Sequence, residues 1–535
     1  MKSIRWLGLA VMLGALAIAC ASEPAPCAQG EGLIGERIAR FTPKSVDCSN
    51  IPTSMALLEP RFASGGVPQD WPTKPVLETE EGTYRATISI EAGTSLYGTG
   101  ETAGPLLRNG AITETWAEQP WRNPPPPNMS SLEYDDEFLN LYQAHPWVLA
   151  VRPDGSSFGV LADTTYRARI DLSNGIAISA GEPFPVIVIE GATPQEVLTN
   201  LGDLTGTMEL PPLWALGYQQ ARWSYIPDAK VREIADEFRV RSIPCDVLWV
   251  DIDYMDGFRI FTFDEERFPN PAGLNDYLHG NGFKSVWILD PGVKSEPGYF
   301  VYDEGLEGDH FIRQPDGELF VQGSWPGDSV WPDYTRPETR TWWAEYIPDF
   351  LSNGIDGVWI DLNEPSIVIP PGVPFPEDLL HVGGGDLPAD THARYHNAYG
   401  LLMSEATLEG MKTARPERRP FLLSRSTFLG GHRYAAMWTG DNSATWDHLR
   451  WSVTMTLNMG LSGQPFAGPD IGGFFRSPSP SLYAHWIGVG AFFPFSRTHT
   501  IQFSQPQEPW SYGPEVENIS RTAIERRYRL LPYIY

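Results

Sequence analysis

The sequence predicts an α/β protein in which an antiparallel β-sandwich precedes a (β/α)8 barrel. Between about residues 50 and 205, polar and apolar residues alternate in short runs broken by Gly, Pro and Asp-Gly turns, which is typical of a sandwich. From residue 209 onward, apolar strands recur at spacings that leave room for helices, and amphipathic segments such as DAKVREIADEFRVRS lie between them. We therefore predict a signal segment at 1–22, a sandwich domain at 23–208 and a barrel at 209–535.

The first 22 residues have the layout of a secretory signal. Lys2 and Arg5 precede an apolar stretch at 7–18, which small residues around Cys20 follow. The stretch AIAC is similar to the lipobox of a bacterial lipoprotein, so lipid attachment at Cys20 and ordinary cleavage nearby are both open. We expect an exported protein, periplasmic or anchored to the outer membrane of a bacterium. Cys27 and Cys48 could then pair, whereas Cys245 is expected to be a buried thiol.

The composition narrows the class of substrate. A net charge of -28 argues against nucleic acid or an acidic membrane surface as a partner, because phosphate repels a like-charged protein. A neutral substrate fits better. The 19 Trp residues suit either sugar rings or a Trp-rich core, and composition does not separate the two.

Eight barrel strands can be read from the sequence: LWALGYQQARW, CDVLWVDIDYM, FKSVWILDPGV, DGVWIDLNEPS, PFLLSRS, YAAMWTGDN, GQPFAGPDIGG and GAFFPFSRTH. The active site of such a barrel lies at the carboxyl ends of its strands. Two connections, at 291–340 and 365–390, are longer than plain loops and are expected to form the rim of the site. The first contains a predicted hairpin at HFIRQPDGELFVQG.

Polar and aromatic residues cluster where these strands end: Trp223, Asp251, Asp253, Asp290, Asp361, Glu364, Arg425, Asp441, Asp470, Arg497 and His499. Asp361, taken alone, could instead cap a helix after its strand. Several unpaired buried carboxylates would be costly, so the clustering favours a functional site. The segment DIDYMDG has the wrong spacing for a calcium loop, and we predict neither a metal nor a cofactor. Two carboxylates that face each other across a sugar would serve glycoside hydrolysis.

The chain resembles glycoside hydrolase family 31, the retaining α-glucosidases and their relatives. The ordered motifs that carry this resemblance are YGTGE, LYQAHPW, LPPLWALGY, WVDIDYMDGFRIFTFD, WPGDSVWPDYT, GVWIDLNEPS, YHNAYGLLMSEAT, RSTFLGGHRYAAMWTGDN, DIGGF and FFPFSRTHT. The family pattern implies that Asp361 is the nucleophile and Asp441 the acid/base. We expect Arg425 to hold the pKa of Asp361 low, and a drier setting beside Trp438 to raise the pKa of Asp441.

The resemblance also implies substrate-binding residues. Asp251, Arg425 and His499 match residues that hydrogen-bond the sugar hydroxyls. The matches to apolar and aromatic walls are Trp223, Ile288, Trp325, Trp359, Trp438 and Phe474, although any of these aromatics taken alone could be core. Asp253 and Asp470 are expected to contact residues of the site without touching the sugar. Glu364 either orients Asp361 or caps a following helix.

The sequence departs from the family pattern in two places. Relatives carry an acidic residue on a sandwich loop that reaches the barrel mouth, and here Glu118, Asp135 and Asp136 are all candidates. The chain also stops at RYRLLPYIY, within the expected last barrel helix, where family members continue into C-terminal β-domains. The favoured interpretation is a retaining, exo-acting α-glucosidase of oligosaccharides. An α-xylosidase, a transglycosylase of the same family, or a truncated, inactive carbohydrate-binding protein are the alternatives.

Overall fold

The computed structural model describes residues 30–44, 54–120 and 133–535. The signal segment, Cys20, Cys27 and Cys48 lie outside the described residues. In the described part of the chain, no helix combines the length and the apolarity needed to span a membrane.

The N-terminal part is a sandwich of two antiparallel sheets, as predicted. Its strands are β1 (Gly30–Gly35), β2 (Ile38–Thr42), β3 (Val76–Glu80), β4 (Thr83–Ile88), β5 (Ser95–Gly98), β6 (Ile112–Thr115), β7 (Trp147–Val151), β8 (Ser157–Ala162), β9 (Ala168–Asp171), β10 (Ile176–Ala180) and β11 (Val186–Gly191). One sheet has the order β1-β2-β11-β8-β7-β5 and the other β3-β4-β10-β9-β6. Alternate residues such as Ile176 and Ile178 point into the core between the sheets, which is why the sequence alternates.

The remaining strands belong to the barrel and its loops. They are β12 (Gln219–Gln220), β13 (Val247–Val250), β14 (Lys284–Leu289), β15 (Val293–Lys294), β16 (Gln322–Ser324), β17 (Gly327–Val330), β18 (Gly357–Ile360), β19 (Leu380–His381), β20 (Asp390–Thr391), β21 (Leu422–Ser424), β22 (Ala436–Trp438), β23 (Ala467–Gly468), β24 (Asp470–Ile471) and β25 (Arg497–Thr498).

A parallel sheet of order β23-β22-β21-β18-β14-β13-β12-β25-β24 forms the barrel. Only Pro469 separates β23 from β24, so these two strands are halves of one, and the sheet returns on itself as a nearly closed barrel. Each of the eight predicted strands is therefore found. Their short apolar runs are buried because helices cover the barrel from outside.

The helices are α1 (Pro194–Thr205), α2 (Asp228–Val240), α3 (Pro271–Gly280), α4 (Phe300–Glu307), α5 (Pro337–Ser352), α6 (His392–Ala414), α7 (Trp446–Leu461), α8 (Pro480–Gly490) and α9 (Pro514–Ile534). Side chains of Thr193, Asn270, Thr445 and Ser479 cap four of them by accepting a backbone N–H bond. Helix α9 runs for 21 residues to the end of the sequence, and its buried Arg527 donates to the carbonyl of Leu216 at 2.8 Å.

The two long loops form small sheets at the mouth of the barrel. In the first loop, β15, β17 and β16 form a three-stranded sheet, and Trp325 lies at the tip of the β16–β17 hairpin. The hairpin predicted upstream is short: Arg313 bridges Leu319, and backbone bonds join Gln314 to Glu318 and Phe320 to Ile312. In the second loop, β19 pairs with β20, and the amides of Val368 and Ile369 donate to Gly323 of the first loop.

Candidate active site

A cavity of about 280 Å³ lies at the carboxyl ends of the barrel strands. Its lining residues are Gln119, Trp223, Asp251, Ile252, Trp325, Trp359, Asp361, Leu362, Val368, Ile369, Pro371, Arg425, Asp441, Phe474, Phe475, His499 and Ile501. Most of these follow a strand directly or within three residues, because the strands of a parallel barrel all end on one face. Trp359 lies inside β18 and Phe475 follows β24 by four residues, and the two long loops and the sandwich supply the others.

Nine of the eleven predicted catalytic and substrate-binding residues line this cavity. They are Trp223, Asp251, Trp325, Trp359, Asp361, Arg425, Asp441, Phe474 and His499. Ile288 and Trp438 do not line it. Ile288 is buried in β14, where its carbonyl accepts a bond from Tyr254, and Trp438 packs edge-on against Trp359 with the ring centres 5.4 Å apart. These two residues support the wall of the cavity from behind.

The guanidinium of Arg425 connects the carboxylates of the site. Its Nε lies 2.9 Å from Oδ1 of Asp361, and its Nη1 lies 3.6 Å from Oδ2 of Asp441. A pair of hydrogen bonds, 2.7 and 3.0 Å long, joins the same group to the carboxylate of Glu364. Arg425 and Glu364 are almost completely buried, so this pair is well shielded from water. Two carboxyl groups of the cavity thus share one fixed cation.

The carboxyl group of Asp441 favours its protonated form. Burial raises its pKa to about 8, even though Arg425 opposes that shift. Burial also raises the pKa of Asp361, against the charge of Arg425. The expectation that Arg425 holds the pKa of Asp361 low is therefore wrong in direction, because the loss of water around this carboxyl outweighs the cation.

The turn after β18 shows why Glu364 is present. The chain turns at 362–364 without entering a helix, and Leu362 has a positive φ of 53°. Asp361 therefore caps no helix, and its Oδ1 accepts the amide of Leu362 at 2.7 Å. Glu364 likewise caps no helix. It holds Arg425, which in turn contacts Asp361.

Asp251 and His499 face each other across another part of the wall. His499 Nε2 lies 3.8 Å from Asp251 Oδ2, which is too long for a hydrogen bond. Burial lowers the pKa of His499 well below its ordinary value, so the ring is neutral at physiological pH. Burial raises the pKa of Asp251. The ring of His499 also packs on Trp359 and Phe474, which fixes its position.

Two more strand-end acids lie outside the cavity lining. Asp253 accepts from Trp223 Nε1 at 3.1 Å and from Ser224 Oγ at 2.5 Å, so it fixes the indole ring that lines the cavity. Asp470 accepts from Arg497 Nη2 at 2.8 Å, and burial raises its pKa to about 6. These contacts agree with the supporting position expected for both residues.

The sandwich contributes Gln119 to the cavity, and the sequence did not single this residue out. The three acidic candidates from the same part of the sandwich, Glu118, Asp135 and Asp136, do not line the cavity. Glu118 instead accepts from Asn140 Nδ2 at 3.4 Å. Among the described residues of this sandwich segment, the one that lines the cavity is thus the amide Gln119. Leu362, Phe475 and Ile501 also line the cavity without having been predicted, since an apolar residue within or beside a motif carries no chemical signal.

Comparison with known proteins places both domains in one family. A model of the glycosyl hydrolase family 31 TIM-barrel domain matches residues 208–535. A model of the N-terminal galactose mutarotase-like domain of the same family matches residues 66–171.

Individual relatives are similar over most of this chain. Alpha-glucosidase 2 of Bacillus thermoamyloliquefaciens is 42% identical over 443 residues, which are 82% of this chain and 54% of that protein. The neutral alpha-glucosidase AB of Homo sapiens is 40% identical over 357 residues, 65% of this chain and 37% of that protein. The chain thus spans about half or less of the length of these curated relatives.

Solved structures agree with this assignment. The family 31 alpha-glucosidase from Bacteroides thetaiotaomicron has a TM-score of 0.75 and 48% identity, covering 84% of this chain and 73% of that one. A Flavobacterium johnsoniae GH31 dextranase, solved in complex with glucose, has a TM-score of 0.82 and 25% identity. The match covers 94% of this chain and 66% of that one. Because the barrel model alone matches more than half of the sequence, this chain belongs to glycoside hydrolase family 31.

Proposed function

We propose that this chain is a retaining, exo-acting α-glucosidase that removes terminal non-reducing α-glucosyl residues from oligosaccharides by double displacement. The observation that carries the proposal is the pair Asp361 and Asp441, held by one guanidinium, with the pKa of Asp441 raised to about 8. A protonated and an ionised carboxyl group that share one cavity are what double displacement requires.

In the first step, a carboxylate oxygen of Asp361 attacks the anomeric carbon, and the bond from that carbon to the leaving oxygen breaks. Asp441 gives its proton to the leaving oxygen, so the aglycone departs as a neutral alcohol. This step produces a β-glucosyl ester on Asp361 and a carboxylate on Asp441. Arg425 keeps the carboxylate of Asp361 in place through its 2.9 Å contact with Oδ1.

In the second step, Asp441 takes a proton from water, and the water oxygen attacks the anomeric carbon. The ester bond breaks, and the electron pair returns to Asp361 as a carboxylate. Two inversions release glucose as the α-anomer, and Asp441 is protonated again for the next cycle.

The remaining lining residues supply recognition. Asp251, His499 and Arg425 present hydrogen-bonding groups to the sugar hydroxyls, and aromatic side chains offer flat apolar faces. Gln119 and the loop at 368–371 wall the cavity, and a walled pocket favours attack at a chain end. Two relatives named as α-glucosidases support glucose as the sugar. Because a single missing hydroxymethyl contact can change preference, the α-xyloside must be tested beside the α-glucoside.

The test is release of p-nitrophenol from the α-glucoside and the α-xyloside by the purified chain, with NMR of the first anomer formed. We expect turnover of the α-glucoside, α-glucose as the first product, and loss of turnover in Asp361→Asn. Asp154→Asn, in an exposed sandwich turn, is the matched control and is expected to keep full activity.

Other outcomes would lead to different conclusions. β-Glucose as the first product would contradict double displacement, and preference for the α-xyloside would change the substrate class. Glucosyl transfer to added maltose faster than hydrolysis would identify a transglycosylase. Sugar affinity without turnover in the folded chain would identify a carbohydrate-binding protein.

Export is a second part of the proposal, supported by the N-terminal sequence alone. We expect the mature protein to begin near Cys20. Mass spectrometry of the N-terminal peptide from an expressing bacterium would distinguish a diacylglyceryl Cys20 from ordinary cleavage. An intact N-terminal methionine on the accumulated protein would contradict export.

A further inference from the structure

Four buried titratable side chains outside the cavity form a line that the proposed mechanism does not use. Asp333 follows β17, His381 ends β19, and His392 and His396 lie one turn apart in α6. Each exposes 2% or less of its surface. Buried polar groups of this kind are destabilising unless each one is hydrogen-bonded.

The four side chains form a continuous series of hydrogen bonds that ends on the sandwich. Asp333 Oδ1 lies 2.6 Å from His381 Nδ1, and His381 Nε2 lies 2.9 Å from His392 Nδ1. His392 Nε2 lies 2.9 Å from His396 Nδ1, and His396 Nε2 lies 2.6 Å from the carbonyl oxygen of Ala117. All six ring nitrogens are therefore engaged.

The number of protons in this series follows from its two ends. The carbonyl of Ala117 can only accept a hydrogen bond, and so can the carboxylate of Asp333. Asp333 also accepts from the amide of Val382 at 2.7 Å and from Thr335 Oγ1 at 2.6 Å, which favours its ionised form. Four hydrogen bonds need four protons, whereas three neutral imidazoles bring three. One ring must therefore be an imidazolium.

The contact between His381 and the carboxylate places the extra proton beside Asp333. Burial lowers the pKa of His392 well below its ordinary value and that of His396 to about 3. Although burial opposes it, the charge and the bond of His381 lower the pKa of Asp333. His381 is the only one of the three rings that contacts the carboxylate, so the geometry places the extra proton at the His381–Asp333 contact. The other two rings then each donate one N–H bond toward the carbonyl of Ala117.

The far end of the series holds the segment that reaches the cavity. The ring of Trp116 stacks on His396 with centroids 3.9 Å apart, and the amide of Ala117 donates to Asn397 Oδ1 at 2.8 Å. Two residues later, Gln119 lines the cavity.

We propose that Asp333, His381, His392 and His396 form a charged histidine relay, whose members are positioning residues that hold 117–119 of the sandwich against the barrel cavity. The relay's effect on substrate rests on the proposed function, because Gln119 is taken to contact the sugar. The charge of the relay and its contacts with 117–119 can be measured whether or not the chain turns over substrate.

Two substitutions of Asp333 test the proton count. In Asp333→Asn the amide can donate to His381 Nδ1, which supplies the fourth proton without a charge. Asp333→Leu has similar volume but neither donates nor accepts. We expect KM for the p-nitrophenyl α-glucoside to stay within about threefold of the wild-type value in Asp333→Asn. In Asp333→Leu we expect KM to rise about tenfold, with a smaller change in kcat.

Two substitutions of His396 test the contact with Ala117. In His396→Gln the amide nitrogen takes the place of Nε2 and can still donate to the carbonyl. In His396→Asn the amide lies at the place of Nδ1, so the carbonyl loses its donor. We expect a normal KM in the Gln variant and a KM raised about tenfold in the Asn variant. These two His396 variants test the proposal even if Asp333→Leu does not fold.

Two readouts need no activity. With 15N-labelled histidine, the folded wild-type chain is expected to show a buried ring with both nitrogens protonated at neutral pH, and Asp333→Asn is expected to lose it. Hydrogen exchange in 112–120 is expected to quicken in His396→Asn but not in His396→Gln. The proposal would be overturned if every buried ring of the wild type were neutral. It would also be overturned if hydrogen exchange in 112–120 were equal in the two His396 variants. An inactive chain that passes both tests would refute the α-glucosidase function and leave the relay in place.

Discussion

The raised pKa of Asp441 predicts a specific loss of activity at alkaline pH. Moving a carboxyl pKa from its ordinary 3.9 to about 8 corresponds to about 6 kcal/mol in favour of the neutral form. The general acid works only when protonated, so on the alkaline side activity is lost as the pH rises through about 8.

The magnitude follows from the titration of this one group. At pH 7 about ten in eleven Asp441 carboxyls carry the proton, and at pH 9 about one in eleven does. The kcat/KM for maltose should therefore fall about tenfold between these values. The assay measures the initial rate of glucose release between pH 7 and pH 9. Circular dichroism at each pH confirms that the chain remains folded.

Asp441→Asn provides the control. With 2,4-dinitrophenyl α-glucoside, whose leaving group needs no proton, the variant should keep measurable kcat/KM and show no alkaline decrease. A wild-type profile that is flat to pH 9, or the same tenfold decrease in the variant, would refute the assignment of the proton to Asp441.

Three further predictions follow from the structure. Glu364→Gln weakens a fully buried pair with Arg425, so the free energy of unfolding in urea should fall by about 3–5 kcal/mol, and unchanged stability would contradict the importance of that pair. Trp325→Ala removes an aromatic face at a hairpin tip beside Trp223, so KM should rise about tenfold while the melting temperature changes little; an unchanged KM would remove Trp325 from the substrate contacts. Cys245 is buried, and burial raises its pKa, so peptide mapping should find it unmodified by iodoacetamide until denaturant is added, and labelling in the native chain would show that it is accessible.

The barrel could be predicted because its signals are local. A buried strand such as Gly357–Ile360 is a short apolar run, and the polar residue that follows it, Asp361, marks the end of the strand. The same signal located seven of the eight strands as single segments. The seventh was read as one strand, and Pro469, which lacks an N–H, divides it into two halves that pair with different neighbours.

The features that were not predicted depend on residues far apart in the sequence. Glu364 meets Arg425 across 61 positions, so no local pattern distinguishes a partner of Arg425 from a helix cap. The extent of burial around Asp361, which sets the direction of its pKa, is likewise a property of the assembled barrel. His392 and His396 are visibly one turn apart, but Asp333 and His381 join them only through two folded loops.

The three contacts of Arg425 have a consequence for the charge of the site during the proposed reaction. In the proposed reaction Asp361 starts as a carboxylate, Asp441 as a neutral acid and Arg425 as a cation, so the charges of these three groups sum to about zero. When Asp361 becomes a neutral ester, Asp441 has lost its proton, so the net charge is the same. The negative charge has moved from the Nε side of the guanidinium to the Nη1 side, while the cation and Glu364 stay in place. The interior therefore need not rearrange its dipoles between the two half-reactions, since each carboxylate appears where a fixed positive charge already stands.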